Sequence, residues 1–210
     1  MEIGTIVLAF IGLLLALTVH EASHAWAASR LGDPTARLQG RLSLNPIVHI
    51  DPIGTVLLPL VAFALNAPII GWAKPVPVDT RYLKHVRRDF MWIALAGPAS
   101  NVVLAIVASL LLRLLPMLPG AVGTIAIVEP LFEFAYRFFF INILLAVFNM
   151  IPVPPLDGSN VVAALLPRHL AYQWDQLRPY GIFILYGLKF TGILGVLIGP
   201  PSRILAGLLL

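Results

Sequence analysis

The sequence predicts an all-α polytopic membrane protein, with about four to six transmembrane helices and a re-entrant or β-like membrane segment after the first. Of its 210 residues, 59% are hydrophobic and only 11% are charged, which is an apolar share above that of soluble globular domains. Long apolar runs recur along the whole chain, as several membrane crossings require. The chain contains no cysteine, which excludes disulfides, thiolate metal ligands and a cysteine nucleophile.

Three long apolar segments are predicted to be membrane-spanning helices. The first runs from about Ile3 to about Leu31, longer than the roughly 20 residues that cross the hydrocarbon core. The other two run from about Phe90 to Leu115 and from about Ile125 to Met150. A further apolar segment, Ile53 to Ile70, is short and is interrupted by prolines, so it does not have the character of a regular span.

The remainder of the chain is predicted to be helical after a proline-rich break. The stretch "IPVPPLDGSN" ends the preceding span, a short helix to Leu166 follows, and a final span runs from about Pro179 to Ile198. No internal repeat or soluble domain is visible. We therefore expect residues 1–210 to form a single membrane domain, with a core at 1–166 and a C-terminal helix region at 177–210.

The distribution of basic residues predicts the topology. Loops 30–52 and 71–89 are both rich in Lys and Arg, and such loops stay on the cytoplasmic side. Residues 53–70 must then enter the membrane and return, and the alternation and prolines of "WAKPVPV" favour an extended edge strand. The alternative is a short crossing by 53–70 with the second loop outside. The net charge of +4 reflects this loop bias rather than nucleic-acid binding.

The end of the first span carries the motif His20-Glu21-Ala22-Ser23-His24. Residues four apart share one face of a helix, so His20 and His24 can bind the same ion, while Glu21 is suited to accept a proton. Zinc fits two imidazole ligands with an open position for water. Ionisable groups are costly within a bilayer and are functional there by default. The motif therefore favours a metal site over two structural histidines.

A catalytic zinc needs a third protein ligand, and the sequence offers several carboxylates and one further histidine. Glu129 and Glu133 lie near the start of the predicted span from Ile125 to Met150, on the side of the membrane opposite the histidines, and are set aside. Asp157 follows that span on the cytoplasmic side, although a helix N-cap is an alternative role for it. Topology alone favours Asp157 over His49, and both residues stay candidates for the third ligand.

Three ordered blocks carry a family resemblance: "HEASH", "AGPASN", and "NMIPVPPLDG" from Asn149 to Gly158. Together they resemble the site-2 protease family of intramembrane metalloproteases, peptidase family M50, in its compact branch without a PDZ or CBS domain. The loop sequences "NPIVHIDPIGT" and "GWAKPVPVD" are also similar to that branch. The resemblance extends over nearly the whole chain.

The resemblance implies one Zn²⁺ per chain, bound by His20, His24 and Asp157, with Glu21 as general base. Asn149 matches a family asparagine that positions the scissile backbone, an interhelical hydrogen bond being its alternative role. The implied activity is hydrolysis of transmembrane protein or peptide substrates within membrane lipid, in a bacterial or archaeal cell membrane, with the active site toward the cytoplasm. The alternative is a non-proteolytic membrane zinc protein, either a transporter or a helix-binding pseudoprotease.

Other polar residues receive lesser roles. Asn101 shares a helix face with Gly97 and is expected to support helix packing, since small residues permit close approach. His49 and Asp51 stay candidates for the edge of the site. Surface positions are expected for His85 and His169.

Overall fold

The computed structural model describes residues 3–58, 61, 72–117 and 128–210. Within these ranges the chain is helical and contains no strand. The helices are α1 (Ile3–Arg30), α2 (Thr35–Leu38), α3 (Val86–Leu114), α4 (Val128–Asn149), α5 (Asp157–Leu165), α6 (Arg168–Asp175), α7 (Gly181–Phe190) and α8 (Ile193–Leu209). Short 3₁₀ turns lie at Pro46–His49, Thr80–Tyr82, Leu115–Met117 and Arg178–Tyr180, and a π-helical segment lies at Pro52–Leu57.

Three helices in the described ranges are long and apolar enough to cross a membrane: α1, α3 and α4. The segment Arg168–Phe190 and helix α8 form a bent pair that counts as a fourth span if taken together. These lengths and compositions confirm the predicted all-α polytopic architecture. The described residues give three spans, or four if the bent pair is one span, against a prediction of about four to six.

The C-terminal region differs from the prediction of one final span over residues 179–198. It forms α7 and α8, and the bent pair turns by 81° between them. The break lies at Gly192, whose φ of +78° is left-handed, a conformation that commonly ends helices and favours glycine. An apolar run alone does not indicate such a turn, so the prediction of a continuous span was wrong.

The three long helices pack with α3 antiparallel to both α1 and α4. His24 of α1 bonds to Ile93 of α3, while the earlier His20 bonds to the later Asn101. Asn101 of α3 bonds to Asn142 of α4, and the buried cluster between these helices joins residues that follow Asn101 to residues that mostly precede Asn142, namely Ala105, Ala108, Leu112, Ala135, Phe139 and Ile143. Small residues on α3 allow this close approach. The C-terminal ends of α1 and α4 therefore meet the N-terminal end of α3.

This arrangement places both ends of the α1–α3 connection on one side of the bundle, as the predicted re-entrant topology requires. Residues 59, 60 and 62–71 lie outside the described residues, and with them most of the predicted re-entrant segment 53–70. Residues 72–79, which we call the arm, form neither a helix nor a strand, so the predicted edge strand is not found there. The arm pairs with no strand in the described residues, because Pro75 and Pro77 lack the N–H groups that a ladder needs.

Candidate metal centre

Helix α1 presents two histidines one turn apart, and α5 supplies a carboxylate opposite them. His20 and His24 are buried, and their Nε2 atoms lie 3.1 Å apart. The Oδ2 atom of Asp157 lies 3.1 Å from Nε2 of His20 and 3.4 Å from Nε2 of His24. Ligand atoms of the three residues all fall within 4.8 Å of one another. The structure thus brings together the three residues predicted to bind metal.

The three converging atoms fit a cation. Oδ2 of Asp157 is buried and has no hydrogen-bond partner in the described residues, which is costly for a carboxylate oxygen. Burial raises the pKa of Asp157, but the imidazoles of His20 and His24, when they are protonated, outweigh burial and bring that pKa to about 2. The carboxyl is therefore ionised at neutral pH. Two imidazoles and one carboxylate are a donor set typical of catalytic zinc, which keeps a further position open.

The second ring nitrogen of His24 fixes its tautomer. Nδ1 of His24 lies 2.7 Å from the carbonyl oxygen of Ile93 in α3. A carbonyl only accepts, so Nδ1 carries the proton and donates. The lone pair of a neutral His24 ring is then on Nε2, facing Asp157. A ligating histidine typically has such an outer hydrogen bond.

The second ring nitrogen of His20 faces a buried amide. Nδ1 of His20 lies 2.6 Å from Oδ1 of Asn101, and Asn101 is fully buried. Sequence analysis predicted that Asn101 supports packing. The structure adds a direct hydrogen bond between Asn101 and the predicted ligand His20. These two residues are 81 positions apart in the chain, and helical periodicity does not reveal such a contact.

Gly97 of α3 is packed against both histidines. A Cβ atom at this position would lie 2.4 Å from Nε2 of His24 and 2.6 Å from Nε2 of His20. Both distances are far below van der Waals contact, so a side chain here would displace the rings. Gly97 and Asn101 share a helix face, as predicted, and the structure directs that face toward α1.

The ligand group opens onto a cavity of about 560 Å³, a volume typical of ligand-binding clefts. Glu21 and Asn149, the two predicted catalytic residues, both line it. Glu21 is half-buried, and Asn149 donates from Nδ2 to the carbonyl of Leu145, 3.1 Å away in its own helix. The structure therefore brings both residues to the cavity that contains the metal ligands, and their catalytic roles stay predictions.

The remaining candidates lie apart from the ligand group. His49 donates from Nε2 to the carbonyl of Ser43 at 2.9 Å, and Asp51 caps the following turn through the N–H groups of residues 53 and 54. Glu129 and Glu133 lie at the start of α4, at the opposite end of the bundle. His85 and His169 are exposed, as predicted.

The arm forms one wall of the cavity, and the contact that holds it there is not evident from the sequence. Trp72, Pro75, Val76 and Val78 line the cavity. Arg41, which is buried, donates from Nη2 to the carbonyls of Lys74 and Pro75. In the sequence Arg41 is one of several arginines in a basic loop, and nothing distinguishes it there.

Arg41 also lies within electrostatic reach of the predicted general base. Burial lowers the pKa of the Arg41 guanidinium, and the negative charge of Glu21 opposes that shift. The guanidinium stays charged, because the usual pKa of arginine is far above neutrality. Arg41 therefore binds the arm and also interacts electrostatically with Glu21 in the cavity.

Known proteins resemble this chain over most of its length. A Bacillus subtilis (strain 168) protein named "Putative zinc metalloprotease YwhC" is 38% identical over 185 residues, which are 88% of this chain and 80% of the relative. The chain belongs to peptidase family M50. A Mycolicibacterium smegmatis protein named "Putative zinc metalloprotease Rip2" is 30% identical over 194 residues, which are 90% of this chain and 69% of the relative.

The family model for peptidase family M50 matches residues 117–178. This range contains Asn149, Asp157 and the proline-rich turn between them. No solved structure matches the chain significantly. Membership of M50 and the apolar helices identify a multi-pass membrane protein.

Proposed function

We propose that this chain is an intramembrane zinc metalloprotease that hydrolyses peptide bonds in or near the transmembrane helices of membrane proteins, as in regulated intramembrane proteolysis. The observation that carries the proposal is the convergence of His20, His24 and Asp157 beside Glu21 in one open cavity. The relatives' names support zinc and proteolysis as the chemistry. The M50 match supports the same class.

Zinc held by His20, His24 and Asp157 would supply Lewis-acid chemistry to water and to the scissile carbonyl. Glu21, next to His20 on the cavity wall, accepts the proton of the attacking water and returns it to the leaving amide nitrogen. Asn149 has an amide at the same wall that can donate to the substrate carbonyl oxygen, where negative charge develops. Peptide hydrolysis then consumes one water and leaves a carboxyl and an amino terminus.

A helical substrate must unwind before its carbonyls are accessible, because each one accepts an intrahelical hydrogen bond. The arm offers a main chain outside any helix along the cavity, and Trp72, Val76 and Val78 line the cavity wall. An unwound substrate segment lying beside the arm regains main-chain hydrogen bonds by strand addition. The arm therefore selects for substrates that unwind, and lipid surrounds the rest of the substrate helix.

The site lies at the end of the bundle where α1 ends and α3 begins, next to loops rich in Lys and Arg. The basic residues of those loops support a cytoplasmic orientation for this end, at the membrane of a bacterial or archaeal cell. Water then reaches the cavity by a short path. The partners are transmembrane substrates and lipid, with no role for nucleic acid.

The test compares cleavage of transmembrane peptides in detergent by the wild type and by Glu21→Gln. The variant keeps the three metal ligands, so it is expected to bind zinc like the wild type while its turnover falls by about 100-fold or more. Unchanged turnover in Glu21→Gln would contradict the assigned role. A wild type that binds zinc but cleaves none of a broad peptide set would favour the helix-binding pseudoprotease instead.

A further inference from the structure

Behind His20, two buried amide side chains connect the ring to α4 by hydrogen bonds. We call His20, Asn101 and Asn142 the relay. Nδ2 of Asn101 donates to Oδ1 of Asn142 at 2.9 Å, and Nδ2 of Asn142 donates to the carbonyl of Phe138 at 2.8 Å. Asn101 and Asn142 are both fully buried. Asn142 belongs to no motif that the sequence analysis singled out.

The orientation of both amide groups follows from the last hydrogen bond, which Asn142 donates to Phe138. The carbonyl of Phe138 only accepts, so the amide group of Asn142 that faces it must be the NH₂ end. Oδ1 of Asn142 then faces Asn101 and receives the NH₂ end of that amide. The carbonyl of Ala16, 3.4 Å from Nδ2 of Asn101, requires the same orientation.

The orientation of Asn101 in turn decides which nitrogen of His20 carries the proton. With its NH₂ end bonded to Asn142, Asn101 presents only Oδ1 to the imidazole. Nδ1 of His20 must therefore be the donor, which leaves the lone pair of the neutral ring on Nε2, beside Asp157. A reversed amide would place a donor against Nδ1 and favour the tautomer that cannot bind metal through Nε2.

We propose that Asn142 is a positioning residue for the metal centre: acting through Asn101, it holds His20 in the tautomer and orientation that bind the ion. The proposal rests on the proposed zinc site at His20, His24 and Asp157. The three residues of the relay come from α1, α3 and α4, so the relay also couples ligand geometry to the packing of the three long helices.

The test measures zinc affinity of the full chain in detergent, by competition with a chromophoric chelator. Asn142→Leu removes the acceptor that orients Asn101, and its zinc affinity is expected to fall by about 10-fold, as for losses of outer-shell partners. In Asn142→Asp the buried carboxyl is expected to be protonated, so that its OH donates to the carbonyl of Phe138 while its other oxygen faces Asn101, and affinity should return to within about 3-fold of the wild type. Wild-type affinity in Asn142→Leu would overturn the proposal.

Two further variants separate positioning from general stability. In an Asn101→Leu background, Asn142→Leu should have no additional effect on zinc affinity, because residues that act in series are not additive.

Ser109→Ala is the matched control: Ser109 is also buried on α3 and bonds to the carbonyl of Leu209, far from the site. It should lower thermal stability and leave zinc affinity unchanged. Additive losses in the double variant would contradict the relay.

Asn142→Thr provides a second disrupting variant if Asn142→Leu does not fold. A threonine hydroxyl bonds the carbonyl four residues earlier in a helix, which satisfies Phe138, but it is too short to orient Asn101. Its Co²⁺ absorption spectrum should differ from that of the wild type, while that of Asn142→Asp should not. Identical spectra in Asn142→Thr and the wild type would refute positioning. His20→Ala distinguishes the proposals, since wild-type zinc affinity in that variant would refute the zinc site itself.

Discussion

At the scale of single residues, the metal centre depends on a position with no side chain. Gly97 lies so close to the imidazoles of His20 and His24 that an added Cβ would approach their Nε2 atoms to 2.6 and 2.4 Å. We expect Gly97→Ala to lower zinc affinity by at least about 10-fold. Loss of an outer-shell partner alone lowers metal affinity by about 10- to 100-fold, and an added Cβ displaces the ligands themselves. The measurement is chelator competition on the purified chain.

Gly195→Ala is the matched control for Gly97→Ala. Gly195 is also helical, in α8, and a Cβ there meets nothing within 4 Å. Its zinc affinity should equal that of the wild type. A Gly97→Ala chain that binds zinc as tightly as the Gly195→Ala chain would show that the two rings do not occupy the described positions.

Local spacing accounts for the part of the site that could be predicted from sequence. His20 and His24 are one helical turn apart, so their shared face follows from the period of the helix. Asp157 required topology and a family resemblance. The contacts of Asn101, Asn142 and Arg41 join segments far apart in the chain, and a sequence pattern without tertiary structure does not encode which polar residues meet.

At the scale of structural elements, the arm is held against the cavity by side chains of the preceding loop. Arg41 bonds the carbonyls of Lys74 and Pro75, and Oδ2 of the buried Asp33 accepts from the N–H of Asp79 at 2.7 Å. The arm is therefore bonded to the preceding loop near its middle and at its last residue. This fixation matters if the arm pairs with unwound substrate, because a preordered strand loses less entropy on binding.

We expect Arg41→Met to lower kcat/KM for helical substrates by about 10-fold, since charge-assisted hydrogen bonds that hold the arm contribute roughly 1.5–3 kcal/mol. Zinc affinity should be unchanged, because Arg41 contacts no metal ligand in the described residues. The measurement is steady-state cleavage of a transmembrane peptide.

The control for Arg41→Met is Arg81→Met. Arg81 lies just beyond the arm and pairs with Asp79, the last residue of the arm; the Arg81 side chain is exposed, so the pair contributes little. Its kcat/KM should stay close to that of the wild type. Equal kcat/KM values in the two variants would argue against the arm as a substrate-binding wall.

Helix formation and the order of elements were more predictable than the breaks between them. The apolar runs that became α1, α3 and α4 are long, and their predicted bounds differ from the observed ones by a few residues. The turn at Gly192 was missed, because glycines are common in membrane helices and only a left-handed φ distinguishes one that ends a helix. Extended backbone was predicted for the arm, while its attachment by Arg41 and Asp33 depends on side chains of a distant loop.

At the scale of the whole molecule, the antiparallel packing of α3 on α1 and α4 fixes which connections share a side of the membrane. Residues 38 and 165 lie at the end with the metal ligands, and residue 117 follows α3 at the other end. Leu38, Leu165 and Met117 are 79%, 73% and 75% exposed. Because the chain has no cysteine, a single introduced thiol at each position reports its side without background.

In intact cells, a membrane-impermeant maleimide should label Met117→Cys, while Leu38→Cys and Leu165→Cys should react only after permeabilisation. The expected result follows from the positive-inside placement of the basic loops. Labelling of Leu38→Cys and Leu165→Cys from opposite sides would contradict the helix arrangement. Labelling of both in intact cells would contradict only the cytoplasmic orientation.

The central claim is that three side chains from α1 and α5 bind one zinc ion, and the zinc content of the purified chain tests it most directly. After dialysis against metal-free buffer, mass spectrometry should find about one zinc ion per wild-type chain and far less in Asp157→Ala, which loses one of three protein ligands. A wild type without zinc, or an Asp157→Ala chain that retains as much zinc as the wild type, would contradict the assignment of the metal centre.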